Sequence, residues 1–303
     1  MRIATVKLDG ERQAAILTSA SRVVPVGKLL GRSPMTVLDV IDSGRATLDR
    51  LADPGLDGVP AEDVEFLAPI PRTRRNVFCV GWNYSEHFEE GRLVRTAGAP
   101  MEIPDAPTFF SKNPATIVGP NAPVWHPAPY STELDWEVEL AVVIGRAGSD
   151  IEETSAMDHV FGYTVANDVS VRDHQRRHGG QWFKGKNFDS HLPLGPWVVT
   201  ADEIANPHRL RITSRINGVT KQDSSTRHMV FTLPRIIHEL SMGLTLEPGD
   251  VILTGTPEGV GFARKPPEFL RPGDEMEMEI EGIGLLRNPV VAPDRTPASA
   301  HRR

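Results

Sequence analysis

Two glutamates separated by one residue, Glu137 and Glu139, lie in the run Asp135-Trp136-Glu137-Val138-Glu139-Leu140-Ala141-Val142-Val143-Ile144-Gly145. Strand alternation sends Trp136, Val138, Leu140, Val142 and Ile144 to one face and both glutamates, with Ala141 and Val143, to the other. A strand face open to water mixes polar types, whereas these neighbours are small and apolar, so the carboxylates point into a partly enclosed space. Two close acids in such a space repel each other and resist ionisation unless a cation is present. A Glu-X-Glu pair by itself is equally compatible with a solvated face. A third carboxylate, Asp168, ends the apolar run Val165-Ala166-Asn167 just before a polar helical stretch, where capping the helix N-terminus is the commoner use of Asp. Should the three converge, an all-oxygen ligand set without cysteine selects a hard ion such as Mg²⁺ or Mn²⁺, with Ca²⁺ as a further option. His87 and Glu90, spaced i and i+3, share a helix face, so Glu90 can orient His87 as a base for water. An isolated His-X-X-Glu is otherwise a surface ion pair.

The elements that must carry these residues are short strands joined by turns, for Gly and Pro number 26 each and are spread along the chain. Strands are expected at 2–8, 13–18 and 22–26, then at 76–80, 107–111, 136–144, 160–167, 196–199, 208–217, 250–253 and 275–281. Helices are expected around 35–42 and 47–52, and at 84–90, 153–158, 169–177 and 232–241. Phe66 to Arg75, with prolines at 69 and 71, reads as a linker. The domains expected are therefore a small N-terminal α+β unit over 1–70, a larger β-dominated domain over 71–290 and a disordered tail over 291–303. Gly91 to Pro107, directly after the His-Glu pair and rich in Gly, Pro and Ala, is a candidate lid.

Composition bounds the function. With 33 basic and 40 acidic side chains, a net charge of −7 and no basic block, a nucleic-acid surface is not expected. No run approaches the roughly 20 apolar residues of a membrane span, and MRIATVKLDGER lacks a signal-peptide core. The single cysteine, Cys79, cannot form an internal disulfide, so a cytoplasmic location is expected.

Five segments in order, CVGWNYSEHFEEG (79–91), DWEVELAVVIG (135–145), NDVSVRDHQ (167–175), WFKGKNFD (182–189) and LTGTPEGVG (253–261), resemble the motifs of the fumarylacetoacetate hydrolase family. The resemblance spans about residues 76–290. It implies a rolled mixed β-sheet catalytic domain within a β-dominated α+β fold, commonly a homodimer, with Mg²⁺ or Mn²⁺ held by Glu137, Glu139 and Asp168. It further implies that His87 and Glu90 activate water and that Lys186 stabilises developing oxyanion charge. Arg172, Gln175, Thr256, Tyr84 and Lys112 would contact the substrate, with Phe110 and Ser111 beside Lys112. Trp82 after Gly81 and a longer stretch from Phe262 to Pro272 depart from the family pattern.

The loop Thr254-Gly255-Thr256-Pro257-Glu258-Gly259-Val260-Gly261 lacks the Gly-Lys-Ser/Thr ending of a phosphate loop, which argues against nucleotide binding. A 2,4-dioxo acid can chelate one ion through its carboxylate and 2-oxo oxygen. Water attack at the distal carbonyl then breaks the C3–C4 bond and releases pyruvate. The leading expectation is thus a C–C bond hydrolase of an acylpyruvate or fumarylpyruvate, serving catabolism of aromatic or related compounds. The alternative is a decarboxylase, isomerase or hydratase on a related 2-oxo or 2-hydroxymuconate-type acid. A non-catalytic binding protein is the remote one.

Overall fold

The computed structural model describes residues 1–51, 58–92 and 101–293. Residues 93–100 of the candidate lid and 294–303 of the expected tail lie outside the described residues. A 12-stranded mixed sheet dominates the described fold. Along it Arg22–Pro25, Glu11–Leu17 and Arg2–Leu8 are followed by Leu192–Thr200, Val160–Asn167, Val138–Ile144, Val251–Leu253, Val77–Gly81 and Thr108–Lys112. A second sheet of five strands is built on Arg211–Ile216, Glu275–Ile280 and Gly284–Val291. The outcome is the β-dominated α+β architecture expected.

Val138–Ile144 shows why the two layers form. Trp136, Val138, Leu140, Val142 and Ile144 join the core between the main sheet, the five-stranded sheet and helix Leu233–Ser241. Ala141 and Val143 join a second core on the opposite face, against Val37, Val40, Ile41 and Leu51 of the N-terminal helices. The strand is therefore buried on both sides, so its glutamates have no bulk water to face. The segment expected to be a linker is packed: Ala68 and Ile70 are buried, Thr5 donates to the Pro69 carbonyl at 2.7 Å, and Glu65–Leu67 pairs with Arg2–Leu8.

Several elements depart from expectation. Glu153–His159 is 3₁₀ rather than α, its Ser155 hydroxyl bonding back to the Glu152 carbonyl. The helix expected at 169–177 begins only at Arg172, because Ser170–Val171 pairs with Leu134–Asp135. Val171 occupies its N-cap position, so Asp168 is not a helix cap. The strand Val219–Ser225 was hidden by its polar composition, and Gly284–Val291 by Pro289.

Close strand approach depends on Gly162, where an added Cβ would meet the Val199 carbonyl oxygen at 2.2 Å. Gly162→Ala should cost about 1–3 kcal/mol and lower Tm by roughly 5 °C in a thermal melt. An unchanged Tm would show that these strands separate without penalty.

Candidate active site

Strand register assembles the acidic cluster. Val138 pairs with Asn167 in antiparallel register, which sets Glu137 opposite Asp168, and the Asp168 N–H donates to the Glu137 carbonyl at 2.9 Å. On the other side Ala141 pairs with Leu253, and the same register brings Gly255 alongside Glu139, whose Oε2 accepts the Gly255 N–H at 2.6 Å. Gly255 has φ +97°, and a Cβ there would meet the Asn83 Cβ at 2.7 Å, so the close turn requires glycine. Ligand oxygens of Glu137, Glu139 and Asp168, all buried, lie within 4.8 Å of one another.

Three buried cations hold this cluster. Lys186 Nζ reaches Glu137 Oε2 at 2.7 Å and Asp168 Oδ2 at 2.6 Å. Lys112 Nζ lies 2.7 Å from Asp168 Oδ1 and also donates to the carbonyls of Val169 and Lys186. Arg172 reaches Glu137 Oε1 at 2.6 Å through Nη1 and Asp135 Oδ2 at 2.8 Å through Nε, while its Nη2 is buried without a hydrogen-bond partner among the described residues. Asp135 anchors more than Arg172, for it also accepts the N–H groups of Trp136, Gly261 and Phe262.

The charges divide unequally. Burial opposes ionisation of Glu137, but the Lys186 ammonium and Arg172 guanidinium outweigh it and hold its carboxyl below the usual range. Burial, together with the charges of Asp168 and Glu137, pushes the Glu139 carboxyl well above its ordinary value. Burial also lowers the Lys112 pKa against the pull of Asp168. One carboxyl is thus driven towards neutrality for want of positive charge. Three convergent oxygen-donor side chains with that deficit fit one hard divalent cation.

Beside the cluster, His87 Nδ1 lies 2.7 Å from Glu90 Oε1, and Glu90 Oε2 accepts the Gly259 N–H at 2.8 Å. The 254–261 loop therefore holds the pair. Gln222 ties that loop to the sheet, donating at 2.8 Å both to Thr256 Oγ1 and to the Pro257 carbonyl while accepting from the Val138 N–H. A cavity of about 100 Å³ brings together His87, Glu137, Glu139, Arg172, Gln175, Lys186, Thr256 and Phe110. Tyr84 and Lys112 are not among its lining residues. Both are fully buried, and the Lys112 ammonium is committed beneath Asp168. Glu90 stands behind His87.

Sequence reasoning missed Trp182, Arg176 and the structural role of Asp135. Trp82, at φ +55°, and Phe262, noted only as departures from the family pattern, form walls of the cavity. The Trp82 and Trp182 rings meet edge-on at 4.7 Å, and the Phe262 ring lies 4.4 Å from the Arg172 guanidinium. Gly81 leaves room for Trp182, whose ring a Cβ would strike at 2.4 Å.

The fumarylacetoacetate (FAA) hydrolase C-terminal family matches residues 76–291. The chain belongs to this family. Among relatives, human mitochondrial oxaloacetate tautomerase FAHD2A is 48% identical over 262 residues, covering 85% of this chain and 80% of that protein. Oxaloacetate tautomerase YisK of Bacillus subtilis is 43% identical over 228 residues, 75% of this chain and 73% of its own. The fumarylacetoacetate hydrolase structure from Exiguobacterium antarcticum superposes with a TM-score of 0.83 at 38% identity, covering 97% of this chain and 100% of that one. Maleylpyruvate hydrolase from Sphingobium sp. SYK-6, in complex with manganese(II) ion and pyruvate, gives 0.78 at 29% identity with the same coverage.

Replacing Glu137, Glu139 or Asp168 singly by Ala should weaken Mn²⁺ binding beyond the roughly 10–100-fold that outer-layer partners cost, with the fold retained by circular dichroism. Wild-type Mn²⁺ affinity in Glu139→Ala, measured by electron paramagnetic resonance titration, would remove that residue from the site.

Proposed function

We propose that this chain interconverts the enol and keto forms of a 2-oxo dicarboxylic acid of the oxaloacetate class, using a divalent cation held by Glu137, Glu139 and Asp168. The unpartnered Arg172 Nη2, in the cavity that also holds Glu137 and Glu139, carries the reading, because a divalent ion would supply the positive charge the carboxylates lack and the carboxylate of a 2-oxo acid would supply the acceptor Nη2 lacks. The identity to proteins named oxaloacetate tautomerases supports this chemistry over the C–C hydrolysis expected first. Mg²⁺ or Mn²⁺ is the ion proposed, from the oxygen donors and the manganese-bound relative.

When bound, the ion supplies electrophilic polarisation of the 2-oxo oxygen. Arg172 Nη2 donates to the adjacent carboxylate and fixes its plane. Lys186, already between Glu137 and Asp168, offers its ammonium to oxyanion charge developing at the 2-position. His87, its Nδ1 facing Glu90, presents Nε2 as the group that carries a proton to or from C3. In the enol-to-keto direction C3 gains that proton and the enol oxygen loses its own, so the reaction balances without water. Trp82, Trp182, Phe110 and Phe262 exclude bulk water from the exchanging proton.

A second reading, hydrolysis of a 2,4-dioxo acid with release of pyruvate, is favoured by the His87–Glu90 geometry, which suits activation of water equally well. We propose a cytoplasmic location, with which the one buried, free cysteine is consistent, and a homodimer on the family resemblance. Among the described residues no helix is long and apolar enough to cross a membrane.

With Mg²⁺ present, the wild-type protein should speed the loss of oxaloacetate enol absorbance, and His87→Ala should slow it by roughly 10²–10⁴-fold. Acetylpyruvate should yield pyruvate far more slowly, as read by coupling to lactate dehydrogenase. Rapid pyruvate release with no enol–keto acceleration would reverse the order of the two readings.

A further inference from the structure

The tautomerase reading leaves one charge without a receptor. A four-carbon 2-oxo dicarboxylate has a second carboxylate, and the cations around the acidic cluster are already engaged. Lys112 is spent on Asp168 and two carbonyls, Lys186 on Glu137, Asp168 and the 2-position oxygen, and the free nitrogen of Arg172 on the carboxylate beside the 2-oxo group. Desolvating the far carboxylate without a partner would be costly.

Helix Arg172–Arg177 supplies a further cation on the same cavity. Arg172, Gln175 and Arg176 are spaced i, i+3 and i+4, so they share one face, and all three line the cavity with Glu137 and Glu139. Arg176 stands four residues, about 6 Å, along the helix from Arg172 and is far more exposed, 36% against 5%, a step comparable to the span between the outer oxygens of a four-carbon diacid. Its Nη2 rests on Glu133 Oε2 at 2.5 Å, yet the side chains of that pair are 36% and 29% exposed. Such an open pair is worth little and exchanges readily for another carboxylate. Glu133 is fixed in position by its backbone, whose carbonyl accepts the Arg172 N–H and whose N–H donates to the Ser131 hydroxyl.

We propose that Arg176 is the specificity residue for the substrate's far carboxylate, exchanging Glu133 for it on binding, so that the site selects four-carbon 2-oxo dicarboxylates over 2-oxo monocarboxylates. This rests on the reading of the site as one for 2-oxo acids, and it names which of them enter. Gln175 stays with Arg172, its Oε1 accepting from Nη1 at 3.1 Å, and so positions the inner guanidinium rather than the outer carboxylate.

The test is binding rather than turnover. Trp82 and Trp182 line the cavity, so stopped-flow tryptophan fluorescence of the Mg²⁺-loaded full chain reports occupancy before oxaloacetate decays. Oxaloacetate and 2-oxobutanoate have the same chain length and differ only in the far carboxylate. The wild type should prefer oxaloacetate, and Arg176→Ala should lose about tenfold in oxaloacetate affinity, near the lower end of a hydrogen bond to a charged group, with 2-oxobutanoate unchanged. Arg176→Lys should recover part of the preference. Equal losses for both ligands, or an undiminished preference in Arg176→Ala, would overturn the proposal. A preserved Arg176-dependent preference in a protein that fails to accelerate enol–keto exchange would uphold this assignment and reject the tautomerase reading.

Discussion

Three carboxylates confined within 4.8 Å of one another, away from bulk water, form an arrangement that a folded chain tolerates only with compensating charge. Much of the packing around residues 79–262 can be understood as meeting that requirement. Lys186 bridges two of the acids, Lys112 supports Asp168 from below, and Arg172 crosses from Glu137 to Asp135. Even so, Glu139 is left facing two like charges with only the Gly255 N–H and the more distant Lys186 in its favour. That imbalance at Glu139 fits a divalent cation better than a salt-bridge network alone.

The same constraint explains the loop chemistry around it. Asp135 gathers the N–H groups of Gly261 and Phe262 and thereby joins the 253–264 segment to Arg172. Glu90 takes the Gly259 N–H with one oxygen and faces His87 with the other. Asn83 accepts from the Phe231 N–H and donates to the carbonyls of Phe231 and Thr254, closing the turn after Trp82. His87, Arg172 and the three clustered carboxylates are thus set by one connected polar network, in which altering any member disturbs the others.

Much of this can be read from the sequence, and the reasons differ by residue. Alternation alone separates Glu137 and Glu139 from Trp136, Val138 and Leu140, because a strand has a period of two and both of its faces are packed here. Asp168 is ambiguous locally, since a cap and a ligand look alike at a strand's end. The Val138–Asn167 register decides it, and register is a long-range property. Tyr84 falls in a matching motif and Lys112 on a strand that resembles a pocket-lining one, but both lie beneath the cavity rather than in it, which only side-chain packing reveals. Trp182 and Phe262 reach the site from separate segments through tertiary folding, with no spacing rule to connect them, whereas Arg176 follows Arg172 at i+4 on one helix, a spacing that points to it.

Glu139, whose carboxyl burial and like charges push upward, is the group expected to release a proton when a divalent cation arrives. Calorimetric titration of Mg²⁺ into the chelator-stripped protein, repeated near neutral pH in two buffers of different ionisation enthalpy, measures that exchange directly. Saturable binding at a single site should be accompanied by proton release to the buffer, with the release suppressed in Glu139→Gln. Absence of saturable binding, or binding whose heat is the same in both buffers, would contradict it.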